Sequence, residues 1–201
     1  VDGSFITLAT NSIALAASAA ALAVGVALIL AWAVRLKPTA LIRGAARIAS
    51  LGYAVPGTVV AVGVLVPFAW LDNTIDSWMR EIFGISTGLL LSGTLVILLF
   101  AYIVRFLAVS LNAVESGLAK VTINMESAAR TLGQSPGRTL MRIHVPIMRA
   151  SILTAGMLVF VDVMKELPAT MVLRPFNFNT LTIQVYEFAS EDKIIELGKD
   201  G

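Results

Sequence analysis

Few side chains in this sequence are of types that do covalent or metal chemistry, and their spacing suits neither. There is no cysteine and a single histidine, His144, which excludes thiolate nucleophiles, disulfides and cysteine-bearing metal sites. His144 has no Asp or Glu at ligand spacing beside it in the chain and reads as an interface residue rather than a metal ligand. No G-x-x-x-x-G-K-[ST] segment occurs, so the chain carries no phosphate-binding loop for nucleotide hydrolysis. Two polar groups remain. Asp162, Lys165 and Glu166 follow an apolar run at i, i+3 and i, i+4 spacing, which places them on neighbouring helical turns. They read either as interface anchors or as a polar translocation path, Asp162 and Glu166 being the acids such a path needs. The other group is the strip ESAARTLGQSPGRTLMRIHVPIMRA, residues 126–150. Its NMESAARTL portion predicts a short helix with a closely approachable Ala128–Ala129 surface. Gly133 ends that helix, because glycine takes a left-handed backbone at C′. Ser135 is the next N-cap and Pro136 the first helical position. Pro146 then interrupts or kinks the new helix. Such a strip makes a docking knob, not a catalytic site.

The elements that hold these residues follow from composition. The 201 residues are 57% hydrophobic and 14% charged, with mean hydropathy +0.85, whereas soluble domains carry about 25% charge. Residues 3–34, 48–71 and 82–104 are uncharged stretches of 32, 24 and 23 residues, and a bilayer-spanning helix needs about 20. A fourth span is shorter in uncharged residues and must run from about Pro146 to Glu166, with Arg149 snorkelling. The predicted spans are therefore 5–34, 49–70, 84–105 and 147–167, with a linker over 106–146. The first stretch does not read as a signal peptide, since it has Asp2 in place of a basic leader and too long an apolar part.

Charge alternates between the spans. Arg35, Lys37, Arg43 and Arg47 separate the first two; Asp72, Asp76 and Glu81, against Arg80, separate the next two. From Arg105 to Arg149 there are six basic residues and two acids, and from Asp162 to Gly201 seven acids and four bases. The positive-inside rule puts the basic segments in the cytoplasm and the N-terminus, the 71–87 loop and the 175–201 tail outside. The net charge of +2 hides this alternation and gives no ground for nucleic-acid binding. Trp32, Trp70 and Trp78 read as interfacial anchors. The run 179–190, with Leu181, Val185 and Phe188 at helical spacing, reads as a surface helix. Tyr53, Pro56 and Gly57, at the start of the second span, read either as a packing irregularity or as a gate hinge.

The 126–146 strip resembles the cytoplasmic signature of ABC importer permeases: EAA, three residues, Gly, nine residues, Ile-x-Leu-Pro. Here it reads Ser127, Ala128, Ala129, three residues to Leu132, Gly133, nine residues, then Ile143, His144, Val145 and Pro146. Ser127 occupies the glutamate position, with Glu126 one place earlier, and Val145 replaces leucine. LGYAVPGTVVAVG (51–63) and KELPATMVLRPFNFNTLTIQVYEFASEDK (165–193) further resemble the ferric-iron branch of that family, in the later half of a double-length permease. The resemblance implies an all-α polytopic membrane helix bundle with a cytoplasmic coupling helix, a partial transmembrane domain over 1–201 whose final family span is absent. It implies that Glu126, Ser127, Ala128, Ala129, Leu132, Gly133, Ile143 and Pro146 form the coupling surface. The implied partners are a cytoplasmic ABC ATPase in two copies, which uses the ATP and Mg, the other permease half or a second permease subunit, a periplasmic binding protein and the lipid bilayer. No cofactor is expected on this chain, and its place is the bacterial inner membrane. Ferric iron is the expected cargo, with thiamine, polyamine, sulfate or phosphonate as alternatives. A secondary transporter or channel is the reading from another class, and it needs intramembrane carboxylates or broken helices.

Overall fold

The computed structural model describes residues 3–197, and the side chains of residues 5–191. Asp2 and the terminal GKDG, which entered the charge reading, lie outside the described residues, as do the side chains of Asp192, Lys193 and Glu196. The described residues are all-α: α1 (Gly3–Leu36), α2 (Ala40–Ala49), a 3-10 turn (Gly52–Ala54), α3 (Gly57–Phe83), α4 (Leu95–Leu118), α5 (Ile123–Thr131), α6 (Pro136–Thr139), a π turn (Leu140–His144), α7 (Val145–Met164), α8 (Pro168–Leu173) and α9 (Leu181–Leu197). Four helical stretches, Phe5–Leu36, Gly57–Phe83, Leu95–Leu118 and Pro136–Met164, are long and apolar enough to cross a membrane. The 34 residues of α1 extend about 50 Å at ~1.5 Å per residue, against a hydrocarbon core of about 30 Å. Helices of this kind outrun the membrane, so their ends and the charge boundaries fall at different residues.

That mismatch moves most of the predicted boundaries, the start of the first span at Phe5 excepted. The second apolar helix starts at Gly57, not at 49. Pro56 supplies no N–H and disfavours helical backbone at Val55, which is extended at ψ 132°. Residues 40–49 instead form the separate α2, whose first turn is capped by the Thr39 hydroxyl accepting from the Ile42 N–H at 3.3 Å. α3 then continues through Asp72, Asp76 and Glu81 to Phe83, so most of the expected outer loop is helix. The third apolar helix starts at Leu95, not 84, because the segment before it is tied down. Asp72, fully buried, accepts from the N–H groups of Leu91 and Ser92 at 3.0 and 2.7 Å. Asp76, one helical turn on, accepts from those of Thr87 and Gly88 at 2.7 and 2.9 Å. Gly84, Gly88 and Gly93 make the bends with φ of 67°, 63° and 80°, backbone open mainly to glycine. α4 runs past Arg105 and Glu115 to Leu118, which shortens the predicted 106–146 linker to the segment beyond Leu118. The fourth helix starts at Pro136 and passes through Pro146 unbroken. The π turn just before Pro146 widens the helix, with the Val145 N–H reaching back to the Leu140 carbonyl, and so accommodates the ring.

The described residues divide into two compact units. The first comprises those of Val1–Ala16, Pro56–Tyr102 and Val163–Gly201, and in it α3 packs on α8. Ile97, Leu98 and Ile183 are fully buried there. Among the described side chains of α9, Ile183 is the buried one, whereas Val185 and Phe188 are 66% and 58% exposed. The second unit comprises Ala17–Val55 and Ile103–Asp162. Its core joins Val24, Ala27 and Ala31 of α1, Leu107, Leu111 and Val114 of α4, and Met148 and Ala155 of α7. Small residues let these helices approach closely. A Cβ on Gly117 would lie 2.7 Å from that of Ser151. Among the described residues, ten of the fourteen Lys and Arg fall in the second unit, and eight of the eleven acids in the first.

Candidate functional site

The strip singled out by sequence lies in the second unit. α5 ends as a Schellman motif: the Gln134 N–H donates to the Ala129 carbonyl at 3.0 Å and the Gly133 N–H to that of Arg130 at 3.0 Å. Gly133 has φ 71°, the left-handed backbone expected of it. Ser135 is the next N-cap and Pro136 opens α6; the Ser135 side chain makes no capping bond, its carbonyl accepting instead from the Thr139 N–H at 2.9 Å.

The faces of α5 differ from the sequence reading. Ala129 is buried, 3% exposed, and Ala128 points outward, so the two alanines do not form one docking surface. The exposed side of the segment carries Ile123 (75%), Met125, Ser127, Ala128 and Leu132 (78%). Pro146 is exposed and Ile143 half-buried. Glu126 faces inward, where its carboxylate pairs with the Arg35 guanidinium at 2.6 Å and lies 3.3 Å from His144 Nε2. Arg35 also donates to the carbonyls of Leu118, at 2.6 Å, and Val121. It thereby ties the end of α1 to the end of α4 and to the turn that leads into α5. Trp32 packs edge-on against His144 with ring centroids 4.4 Å apart. His144 is fully buried and Trp32 is 9% exposed. The expectation of an interface histidine with no carboxylate nearby is therefore corrected, as is that of an interfacial Trp32. Trp70 and Trp78 are exposed. Sequence distance hid this node. Its three charged or titratable members come from α1, α5 and the π turn, and no local spacing links them.

The remaining predicted residues fall elsewhere. Tyr53 is half-exposed and stands 6.4 Å from the ring of Phe106. Pro56 caps α3 and Gly57, its first residue, is buried. The closest backbone approach is at Gly52, which sequence reasoning passed over: a Cβ there would sit 1.9 Å from the Val104 carbonyl oxygen. Arg105 Nη1 donates to the Val55 carbonyl at 2.7 Å, fixing the turn after Gly52. The run LGYAVPG held the signal, a glycine beside Tyr and four residues before Pro. Asp162 is half-buried at the end of the second unit, whereas Glu166 is buried in the first. α7 ends at Met164, so Glu166 does not continue its helical spacing.

Among the described residues no group of three or more His, Cys, Asp or Glu is arranged to hold a metal ion. The node combines ion pairing, burial and helix ends. It can hold α5 in a fixed attitude against α1 and α7. The fold is that of a multi-pass, all-α helix bundle of the inner membrane.

The chain matches no family model. It is 27% identical over 187 residues to the Fe(3+)-transport system permease protein FbpB 2 of Haemophilus influenzae, covering 93% of this chain and 34% of that protein. It is 28% identical over 143 residues to the putative 2-aminoethylphosphonate transport system permease protein PhnV of Salmonella typhimurium, 71% of this chain and 48% of that one. PhnV of Salmonella paratyphi A aligns to the same extent. The chain thus spans a third to a half of the length of these relatives. The similarity is to permease components of transport systems, not to enzymes, and the two named systems carry different solutes.

Proposed function

We propose that this chain is part of the transmembrane permease of an ATP-driven solute importer, with α5 as the helix that docks the ATPase. The observation that carries this reading is the α5 segment itself. A short helix closed by Gly133 presents Ile123 and Leu132 outward, while Arg35 and Glu126 anchor its inner side. An apolar tip on a rigidly held helix can seat in a groove of a partner and pass the partner's movement to α1 and α7. Ala128→Arg or Leu132→Glu, both at exposed positions, should leave membrane insertion and folding intact. Co-purification of the ATPase should fall at least about 10-fold, since a buried charge at such a contact costs about 1.4 kcal/mol or more. Undiminished co-purification and substrate-stimulated ATP hydrolysis in both variants would refute the docking role.

The orientation has its own test. The basic second unit faces the cytoplasm in this reading. A cysteine introduced at Ser77 should react with an impermeant reagent in intact cells, and one at Ser135 should not; equal labelling overturns the orientation. For the cargo we favour ferric iron, on similarity to FbpB 2 over most of this chain. Uptake of radioactive iron by the full permease with its partners, competed by 2-aminoethylphosphonate, decides between the two solutes. Iron uptake abolished by the phosphonate would reverse our choice.

A further inference from the structure

In the second unit, α1 and α7 leave an open groove of about 570 Å³ between them, a volume within the ~300–1,000 Å³ of pockets that take a whole small ligand. Every side chain on its wall is apolar. Ala20 and Ala21 of α1 and Gly156 of α7 keep it open, and a Cβ on Gly156 would meet nothing within 4 Å. Leu153 and Met157, on its α7 wall, are 67% and 69% exposed. Both helices belong to stretches long and apolar enough to cross a membrane. Leu153, Gly156 and Phe160 stand at i+4, i+7 and i+11 from Arg149, so one stripe of α7 runs from that guanidinium into the groove. Arg149 is exposed, and no acid pairs with it among the described residues. From Arg149 to Phe160 the stripe rises about 16 Å at ~1.5 Å per residue, roughly half of the ~30 Å hydrocarbon core. Asp162 follows the far end of the groove, so the two ends of the stripe differ in charge.

We propose that this groove binds one acyl chain of an anionic phospholipid whose phosphate is held by Arg149. The length of the stripe matches the chain of a single leaflet. A partner's spanning helix would need a face that runs through the whole core, and the groove stops short of that. Arg149 stands at the end of α7 from which a long basic side chain snorkels to the headgroups. The acid at the other end disfavours the reverse orientation of the lipid. One basic side chain at the headgroup level favours an anionic lipid over a zwitterionic one by about 5-fold. Lys120 offers a contrast: its Nζ donates to Ser151 Oγ at 3.5 Å. Ser151 is about 200° round the helix from Arg149, so Lys120 is a cation away from the stripe. The site needs only a membrane around the second unit, and its test is independent of the importer reading.

The experiment is native mass spectrometry of the full chain in detergent, titrated with phosphatidylglycerol and, separately, with phosphatidylcholine of the same acyl composition. One phosphatidylglycerol should bind about 5-fold more tightly than one phosphatidylcholine. Arg149→Gln should abolish that preference, and Lys120→Gln should leave it intact. Gly156→Leu, which puts a side chain into the groove, should weaken both lipids by at least about 5-fold. Should Gly156→Leu fail to fold, the two polar variants decide. Equal binding of the two lipids by the parent, or a preference that survives in Arg149→Gln, would overturn the proposal. Equal losses in Arg149→Gln and Lys120→Gln would reveal a diffuse attraction and overturn it too. If Gly156→Leu binds both lipids as the parent does but no longer assembles with the rest of the permease, a helix fills the groove and the proposal falls.

Discussion

Two glutamates, Glu126 in the second unit and Glu166 in the first, are buried to nearly the same depth, 8% and 7% exposed, by opposite means. Glu126 lies against a fixed guanidinium, and Arg35 spends its other donors on the carbonyls of Leu118 and Val121. Glu166 accepts from the Ala169 N–H at 3.3 Å, its carbonyl accepts from the Thr170 hydroxyl, and that hydroxyl lies 2.6 Å from the hydroxyl of Tyr102. The first arrangement links α1 to α5 and stiffens the base of α5. The second holds the short break between α7 and α8. An ion pair ties distant stretches together; a carboxylate on a backbone N–H sets a local turn.

The largest effect should come from breaking the pair. Glu126→Ala leaves the Arg35 charge half-buried without its carboxylate and should cost about 3 kcal/mol. Detergent-solubilised protein should unfold correspondingly earlier, and the linker around α5 should become accessible to protease. The double variant Arg35→Leu/Glu126→Leu should recover part of the loss, since no charge is then stranded. It should not recover all of it, because the Leu118 and Val121 carbonyls lose their donor. A Glu126→Ala protein as stable as the parent would show that the pair is not a joint.

Glu166 should respond less. Glu166→Ala removes an acceptor from the Ala169 N–H and should cost about 1–3 kcal/mol. Glu166→Gln keeps an acceptor and the volume, and should cost less than about 1 kcal/mol. If Glu166→Gln proves as damaging as Glu126→Ala, the charge of Glu166 matters as much as that of Glu126 and the contrast between the two sites collapses.

The difference between the sites also explains what could be read from sequence. Four helices long and apolar enough to cross a membrane were legible, because such a helix needs a long uncharged run. The end of α5 at Gly133 and the restart at Ser135–Pro136 were legible too, because left-handed glycine and N-terminal proline are local backbone chemistry. Helix ends were not, since charge marks the water boundary while hydrogen bonding carries α3 to Phe83 and α4 to Leu118. The inward turn of Glu126 was hidden for another reason. Its partner Arg35 is 91 positions away in the chain, and only packing shows that the carboxylate belongs to the joint and not to the exposed face. Glu166 was singled out, but its hydroxyl company, Ser12, Tyr102, Thr170 and Thr180, comes from four separate stretches of sequence.

The smallest expected effect is the most discriminating. In most proteins Thr→Val at a buried position is destabilising, because the lost hydroxyl had a partner and the neighbour is left unsatisfied. At Thr180 the hydroxyl oxygen is buried with no hydrogen-bond partner in the protein. The substitution then removes an uncompensated buried dipole and should raise stability, by up to about 1 kcal/mol. Thermal unfolding of parent and variant in the same detergent reads the sign. A loss of stability of about 1 kcal/mol or more would mean that Thr180 is hydrogen-bonded, directly or through a buried water, and that its hydroxyl belongs to the structure around Glu166.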